Sequence, residues 1–257
     1  MSNILLRIGE VINDPRASAL CIVAGTRGSS PGRAGAKMIV FSDGSTVGSV
    51  GGGGIEQQVI ADALSLISSH TPHLKEYRLQ EDLDMACGGA MSIYIEPLSK
   101  PSRLYIFGAG HIGKSLAKYA PDMGFETWLM DRRSELLEKE ENPHIRKICK
   151  PYLDAAAELP FDRDSYIVIV TPDHDTDEAI LAAVGKKEVA YLGMIGSKRK
   201  IASLTNRFLE EKILTREELD RVDMPIGIRF NAVAPAEIAI SILARLIDVK
   251  NNRTKGL

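Results

Sequence analysis

The sequence predicts an α/β protein in two parts, a C-terminal part with a parallel β-sheet covered by helices and an N-terminal α+β part. Three observations carry this. From Arg103 onward, short apolar strands alternate with helical stretches, the pattern of a parallel sheet buried on both faces. Before Pro97, strands and helices mix without that alternation. Between the two, Glu96-Pro97-Leu98-Ser99-Lys100-Pro101-Ser102 is polar, holds two prolines and reads as a linker. The expected organisation is a first domain over residues 1–97, a linker over 98–102 and a second domain over 103–257.

Taken in order, Ile4, Leu5, Ile8, Val11 and Ile12 recur at helical spacing and predict a helix over 4–12. Residues 18–24 form an apolar run expected to be a strand, with Cys21 as a core thiol. Lys37–Phe41 and Thr46–Val50 flank Ser42-Asp43-Gly44-Ser45, a hairpin signal. After Gly51–Gly54 a helix is expected from about Ile55, with Ile55, Val59, Ala63, Leu64 and Ile67 on its apolar set. Leu74–Leu79 and Met91–Ile95 are expected strands. In the second part the expected strands are Arg103–Phe107, Glu126–Met130, residues 145–149, Tyr166–Val170 and Val189–Leu192. Helices are expected over His111–Met123, from Asp177, from Lys198 and over Ala236–Val249, with one more strand between Pro225 and Ala234.

Composition excludes several function classes. Of 257 residues 44% are apolar, enough for full cores, and the formal net charge of -2 disfavours a general attraction for nucleic acid. No run of apolar residues is long enough to span a membrane. The N-terminus lacks a basic segment followed by a long apolar stretch, so no signal peptide is expected. Three cysteines, Cys21, Cys87 and Cys149, form no CxxC pair, which leaves no cysteine framework for a metal and suits a reducing cytoplasm.

The sharpest motif is Gly108-Ala109-Gly110-His111-Ile112-Gly113. It follows the strand Leu104–Phe107, opens a helix, and a second strand ends at Asp131. Gly108 permits the tight turn, Gly110 lets backbone approach a pyrophosphate, and Gly113 lets helix pack on strand. The helix start supplies free N–H groups, and Asp131 would accept from a ribose 2′-hydroxyl. This is a Rossmann-like signature for a phosphate-bearing ligand, favoured over a glycine turn that only connects strand to helix. Asp131-Arg132-Arg133 pulls two ways, since a carboxylate suits a free 2′-hydroxyl and arginine suits a 2′-phosphate; NAD is favoured over NADP at this point.

Two further segments follow strands, where parallel sheets bind ligands. Thr171-Pro172-Asp173-His174-Asp175-Thr176-Asp177 offers His174 as an acid, base or metal ligand beside carboxylates, or as a solvated residue near an Asp-capped helix start. Gly193-Met194-Ile195-Gly196-Ser197-Lys198-Arg199-Lys200 places cations in a first helical turn, against the helix dipole. Anion binding by Gly196, Ser197 and Lys198 would explain that; a solvated basic helix start is the alternative. In the first part, Gly48–Glu56 includes Gly52 and Gly53 and could line an anionic ligand or simply connect. The thiol in Ala86-Cys87-Gly88-Gly89 is sterically open, or an inert small residue at a strand start.

Taken together, TRGSSPGRAGAKM (26–38), GSVGGGGIE (48–56), ACGG (86–89), GAGHIG (108–113), YLGMIGSKRK (191–200) and PAEIAISILA (235–244) resemble the XdhC/CoxI family, accessory proteins of molybdenum hydroxylases such as xanthine dehydrogenase. The resemblance covers nearly the whole chain in order. It implies an N-terminal XdhC/CoxI domain and a C-terminal Rossmann domain. It also implies that the chain binds the molybdenum cofactor (molybdopterin), promotes exchange of a terminal oxo ligand for sulfur and delivers the product to apo-hydroxylase. Implied partners are the hydroxylase, a cysteine desulfurase and a second copy in a homodimer. Many relatives have GGGC where this chain has Gly54, which leaves Cys87 as the matching thiol; with His174 it is the candidate for chemistry. The alternatives are an NAD(P)-dependent oxidoreductase, using His174 or Lys198 as proton donor, and a nucleotide-sensing interaction protein without catalysis.

Overall fold

A computed structural model describes residues 4–12, 14, 16–67, 71–80, 88–98 and 101–255. They fall into two compact units, Pro101–Arg253 and the rest of the described chain.

The first unit contains α1 (Ile4–Ile12), β1 (Ser18–Arg27), β2 (Lys37–Phe41), β3 (Thr46–Gly48), α2 (Gly53–Ile67), β4 (His73–Arg78) and β5 (Ala90–Leu98). The strands form one antiparallel sheet in the order β3-β2-β1-β5-β4. Side chains alternate across it, as extended backbone requires. Ala19, Cys21, Val23, Met38 and Val40 join Ile55, Val59, Ala63 and Ile67 of α2 in one core. Leu20, Ile39 and Phe41 face the other way, onto Ile4 and Val11 of α1. Cys21 is fully buried, and that burial pushes its thiol up to about 12. Leu64, expected on the apolar set of α2, is half-exposed instead. The buried stripe recurs at every fourth residue, and Leu64 lies off it.

Glu96 and Pro97, expected in a connector, belong to β5, where they pair with Leu20 and Ala19. The pairing of β4 begins at His73 opposite Ile95, so among the described residues Pro97 is paired on one side only. Prolines within sheets are confined to such edge positions.

The second unit runs β6 (Ser102–Phe107), α3 (His111–Tyr119), β7 (Phe125–Asp131), α4 (Ser134–Leu137), β8 (Ile145–Cys149), α5 (Tyr152–Glu158), β9 (Ser165–Ile169), α6 (His174–Val184), β10 (Tyr191–Met194), α7 (Lys198–Glu210), α8 (Arg216–Asp220) and α9 (Pro235–Lys255). The sheet is parallel throughout, in the order β8-β7-β6-β9-β10. One face is covered by α3 and α9, with Leu116, Ala117, Ile242 and Leu246 against Leu104, Ile106 and Val168. The other is covered by α5, α6 and α7, with Tyr152, Leu181, Leu204 and Phe208 against Tyr105, Phe107, Ile167 and Ile169. Chain order reverses between β6 and β9. This is the doubly wound Rossmann arrangement, whose ligand crevice lies at the reversal.

Several boundaries differ from expectation. The helix after Gly110 stops at Tyr119, and a 3-10 turn at Pro121–Met123 closes it. Helix α6 starts at His174 rather than Asp177, because Asp173 caps it by accepting the Thr176 N–H. No strand forms between Pro225 and Ala234. Ser241 instead donates its hydroxyl to the Ile228 carbonyl at 2.7 Å and so ties that segment to α9 rather than to a ladder. The short helix α8 is set by a full capping box between Thr215 and Glu218.

Helix α9 offers a direct check of this packing. Leu246 is fully buried, whereas Ile240 is half-exposed on the same helix. Leu246→Ala is expected to cost roughly 2–5 kcal/mol of unfolding free energy. Ile240→Ala is expected to stay within about 0.5 kcal/mol of the parent. Urea denaturation of both variants measures the contrast, and equal losses would show that α9 does not dock as described.

Candidate functional site

The end of β6, the end of β7 and the end of β9 meet at the topological reversal. Between them lies a cavity of about 380 Å³, lined by Ala109, Gly110, His111, Ile112, Lys114, Arg133, Leu136, Val170, Thr171, Pro172 and Pro235. Its turn is built as the glycine spacing requires. Gly108 has φ +117°, and a Cβ there would lie 2.5 Å from the Val170 carbonyl oxygen. A Cβ on Gly113 would lie 1.8 Å from the Gly108 carbonyl oxygen, so only glycine lets α3 approach the turn. A Cβ on Gly110, in contrast, meets no atom within 4 Å. Gly110 lines the cavity, so its backbone there is not covered by a neighbouring side chain.

Asp131 does not face the cavity as a ribose acceptor. It is fully buried. Its Oδ2 accepts the Ala109 N–H at 2.8 Å, and Arg133 donates to it from the backbone N–H and from a two-pronged guanidinium at 2.9 Å. Burial opposes the charge, but these donors outweigh it and hold the carboxyl at about 2. The carboxylate organises the turn, and Arg133 takes the place on the cavity wall. The basic lining residues His111, Lys114 and Arg133 have no carboxylate among their lining neighbours. Lys114 was not singled out from the sequence, although its position directly after the motif glycine was the available signal.

His174 occupies the first turn of α6, with its Nε2 3.0 Å from the Glu178 carboxylate; Arg207 pairs with the same carboxylate. Thr171, on the cavity wall, turns its hydroxyl and its N–H onto buried Asp177, at 2.7 and 3.0 Å. Burial is the main influence on Asp177 and pushes its carboxyl up to about 6 despite those two bonds. The sequence marked His174 and the surrounding aspartates; Glu178, one helical turn on, was the partner it missed.

Gly196, Ser197 and Lys198 lie beyond β10, on the same edge of the sheet, but do not line the cavity. Ser197 caps α7 through the Lys200 N–H at 3.3 Å, and Lys198, Arg199 and Lys200 are exposed.

In the first unit the glycine run has the unusual dihedrals its composition suggested, with φ +145° at Gly51, +76° at Gly52 and +66° at Gly53. Two of its N–H groups are already engaged, that of Gly51 by the Ser49 hydroxyl and that of Gly52 by Glu56. Glu56 accepts the Gly52 N–H at 3.1 Å, the Val50 N–H at 3.3 Å and the Ser49 hydroxyl. Cys87 lies outside the described residues. The adjoining Gly88 and Gly89 line a separate cavity of about 310 Å³ with Arg27, Gly28, Glu76, Arg78, Gln80 and Ala90.

Comparison with known proteins places these features. Residues 104–246 match the XdhC Rossmann domain, and residues 11–78 match the XdhC and CoxI family. The chain belongs to the XdhC/CoxI family. It is 34% identical to the Escherichia coli protein YqeB over 93% of this chain and 44% of that one. It is 26% identical to a Bacillus subtilis protein named as a probable subunit of xanthine dehydrogenase, over 62% of this chain and 46% of that one. The chain thus spans less than half the length of these two relatives. It is 22% identical to the E. coli molybdenum cofactor insertion chaperone PaoD, over 94% of this chain and 86% of that one. A crystal structure from Bacillus halodurans, described as a xanthine dehydrogenase, shares the fold with a TM-score of 0.53 at 24% identity, covering 98% of this chain and 97% of that one. The cavity, Asp131 and His174 all lie within the matched Rossmann domain.

Asp177 gives this wall of the site a measurable pH signature. Its carboxyl is raised from 3.8 to about 6 in the folded protein, so folding holds that proton more tightly than the unfolded chain does. Its contribution is therefore complete below the unfolded value and is lost as pH rises through the folded one. Asp177→Asn keeps an acceptor for Thr171 and removes the charge. The variant is expected to be more stable than the parent by about 1–3 kcal/mol at pH 7.5, with the difference vanishing toward pH 4. Denaturant midpoints across that range test it, and a gap that does not change with pH would rule out Asp177 as the titrating group.

Proposed function

We propose that the protein is an accessory factor of a xanthine dehydrogenase-type molybdenum hydroxylase. It binds the molybdenum cofactor as cargo, promotes its sulfuration and delivers it to the apo-enzyme. One observation carries this reading: within the XdhC Rossmann domain lies a cavity of about 380 Å³ with three basic side chains, an open glycine backbone and no lining carboxylate. Its volume falls in the range of about 300–1,000 Å³ used for small ligands, and its lining suits the phosphate that the pterin carries. Relatives named as a molybdenum cofactor insertion chaperone and as a probable xanthine dehydrogenase component support the cargo and the partner. A cysteine desulfurase as sulfur source, a homodimer, a cytoplasmic location and a domain division at residues 98–102 belong to the same reading. Cys87 is the thiol assigned to hold or pass the cargo.

The reading as a nicotinamide-dependent oxidoreductase has less support. His174 and Lys198, its proton donors by sequence, do not line the cavity, and His174 is paired with Glu178.

Mass spectrometry of small molecules retained by the native protein, purified from cells that make the cofactor, tests the proposal. Pterin is expected on the parent, with reduced amounts on Gly110→Val, whose side chain would enter the open space, and on Cys87→Ala. A host lacking this chain whose molybdenum hydroxylase is still fully sulfurated would refute the accessory role.

A further inference from the structure

We propose that the Rossmann cavity selects a ligand carrying a phosphate monoester at its β7 end over one presenting a free ribose 2′,3′-diol there, with Arg133 as the determinant. The inference rests on the reading of this cavity as a phosphate site and specifies which phosphate. In a diol-selective site, the carboxylate ending the second strand faces the ribose. Here that carboxylate is Asp131, which is fully buried. Both of its oxygens are bonded, Oδ2 to Ala109 N–H and Arg133 Nη2, Oδ1 to Arg133 Nε and the Arg133 N–H. A diol would have to displace a guanidinium to reach it.

The group standing on the wall in its place is cationic. Arg133 lines the cavity, and its side chain is 36% exposed. A guanidinium carries five N–H donors, and the fork to Asp131 uses one from Nε and one from Nη2. The pairing also fixes the plane of the guanidinium, so its outward edge is oriented before any ligand arrives. Exposed Arg132 adds a second positive charge at the end of the same strand. Lys114 and His111 supply positive charge or donors along the rest of the wall, and no carboxylate lines it to repel a dianion. A nucleotide with a 2′-phosphate and a pterin with a terminal phosphate share this chemistry; NAD does not. On this proposal the preference for NAD drawn from Asp131 in the sequence gives way to one for a phosphate-bearing ligand.

The experiment is calorimetric titration of the full-length protein with NADP⁺ and NAD⁺. NADP⁺ is expected to bind about tenfold more tightly than NAD⁺, as one charge-assisted phosphate contact allows. Arg133→Gln alone would leave Asp131 buried without its counter-charge, so the decisive variant is Asp131→Asn with Arg133→Gln, which removes both charges and keeps an acceptor for Ala109. Its NADP⁺ to NAD⁺ ratio is expected to fall to near one, with a cooperative denaturant transition confirming that the variant is folded. Equal or tighter NAD⁺ binding by the parent, no binding of either nucleotide, or an unchanged ratio in the double variant each overturns the proposal. Retained pterin with a preference for NAD⁺ sinks this inference and leaves the accessory role standing. A preference for NADP⁺ on a protein that never carries pterin does the reverse.

Discussion

A buried carboxylate, Asp131, joins the turn after β6 to the end of β7. Without a donor set it would be expensive to bury as an anion. It has the Ala109 N–H from one turn, and a backbone N–H and a guanidinium from the next. These bonds hold Ala109 in place beside Gly108, whose left-handed backbone brings it against the end of β9. The α3 start, the cavity mouth and the stance of Arg133 all follow from that arrangement. The site is preorganised because one charge inside the fold demands fixed partners.

The opposite wall shows what happens when the donors are weaker. Asp177 is nearly as deeply buried, but its carboxyl accepts from one neutral residue, through the N–H and hydroxyl of Thr171. Burial then prevails and the carboxyl moves up, whereas at Asp131 the guanidinium reverses the balance and the carboxyl moves down. Two carboxylates flanking one cavity thus sit on opposite sides of their ordinary value. The difference lies in whether a full positive charge is among the donors.

The fold was largely legible because its signals are local. Alternating apolar strands between helices require a parallel sheet, and GAGHIG after Phe107 marks the first strand and the helix it feeds. Strand order is not local, yet the motif places the ligand crevice without it. What the sequence hid depends on side-chain direction. Asp131 at the end of its strand has the same spacing whether it turns outward to a ribose or inward to Ala109. The choice is made by Arg133, two residues later, folding back on it. The start of α6 was displaced for a related reason, since Asp173, Asp175 and Asp177 can each cap a helix, and only tertiary bonding of Asp177 to Thr171 leaves Asp173 to do so. The expected strand before Ala234 failed because Ser241 of α9 competes for its backbone.

The same logic explains why one glycine-rich helix start, and not another, became the cavity. The start of α2 has the positive φ angles and upturned N–H groups of an anion nest, but the chain supplies its own anion, Glu56. At α7 the Ser197 hydroxyl takes up one of the first N–H groups, and the cations there are held out in solvent. At α3 no side chain caps Gly110, and the nearest carboxylate is drawn inward onto Ala109 and Arg133. Of these three helix starts, this one combines uncapped donors, nearby cations and empty volume at the sheet's reversal. The proposed anionic ligand would take there the place that Glu56 takes at the start of α2.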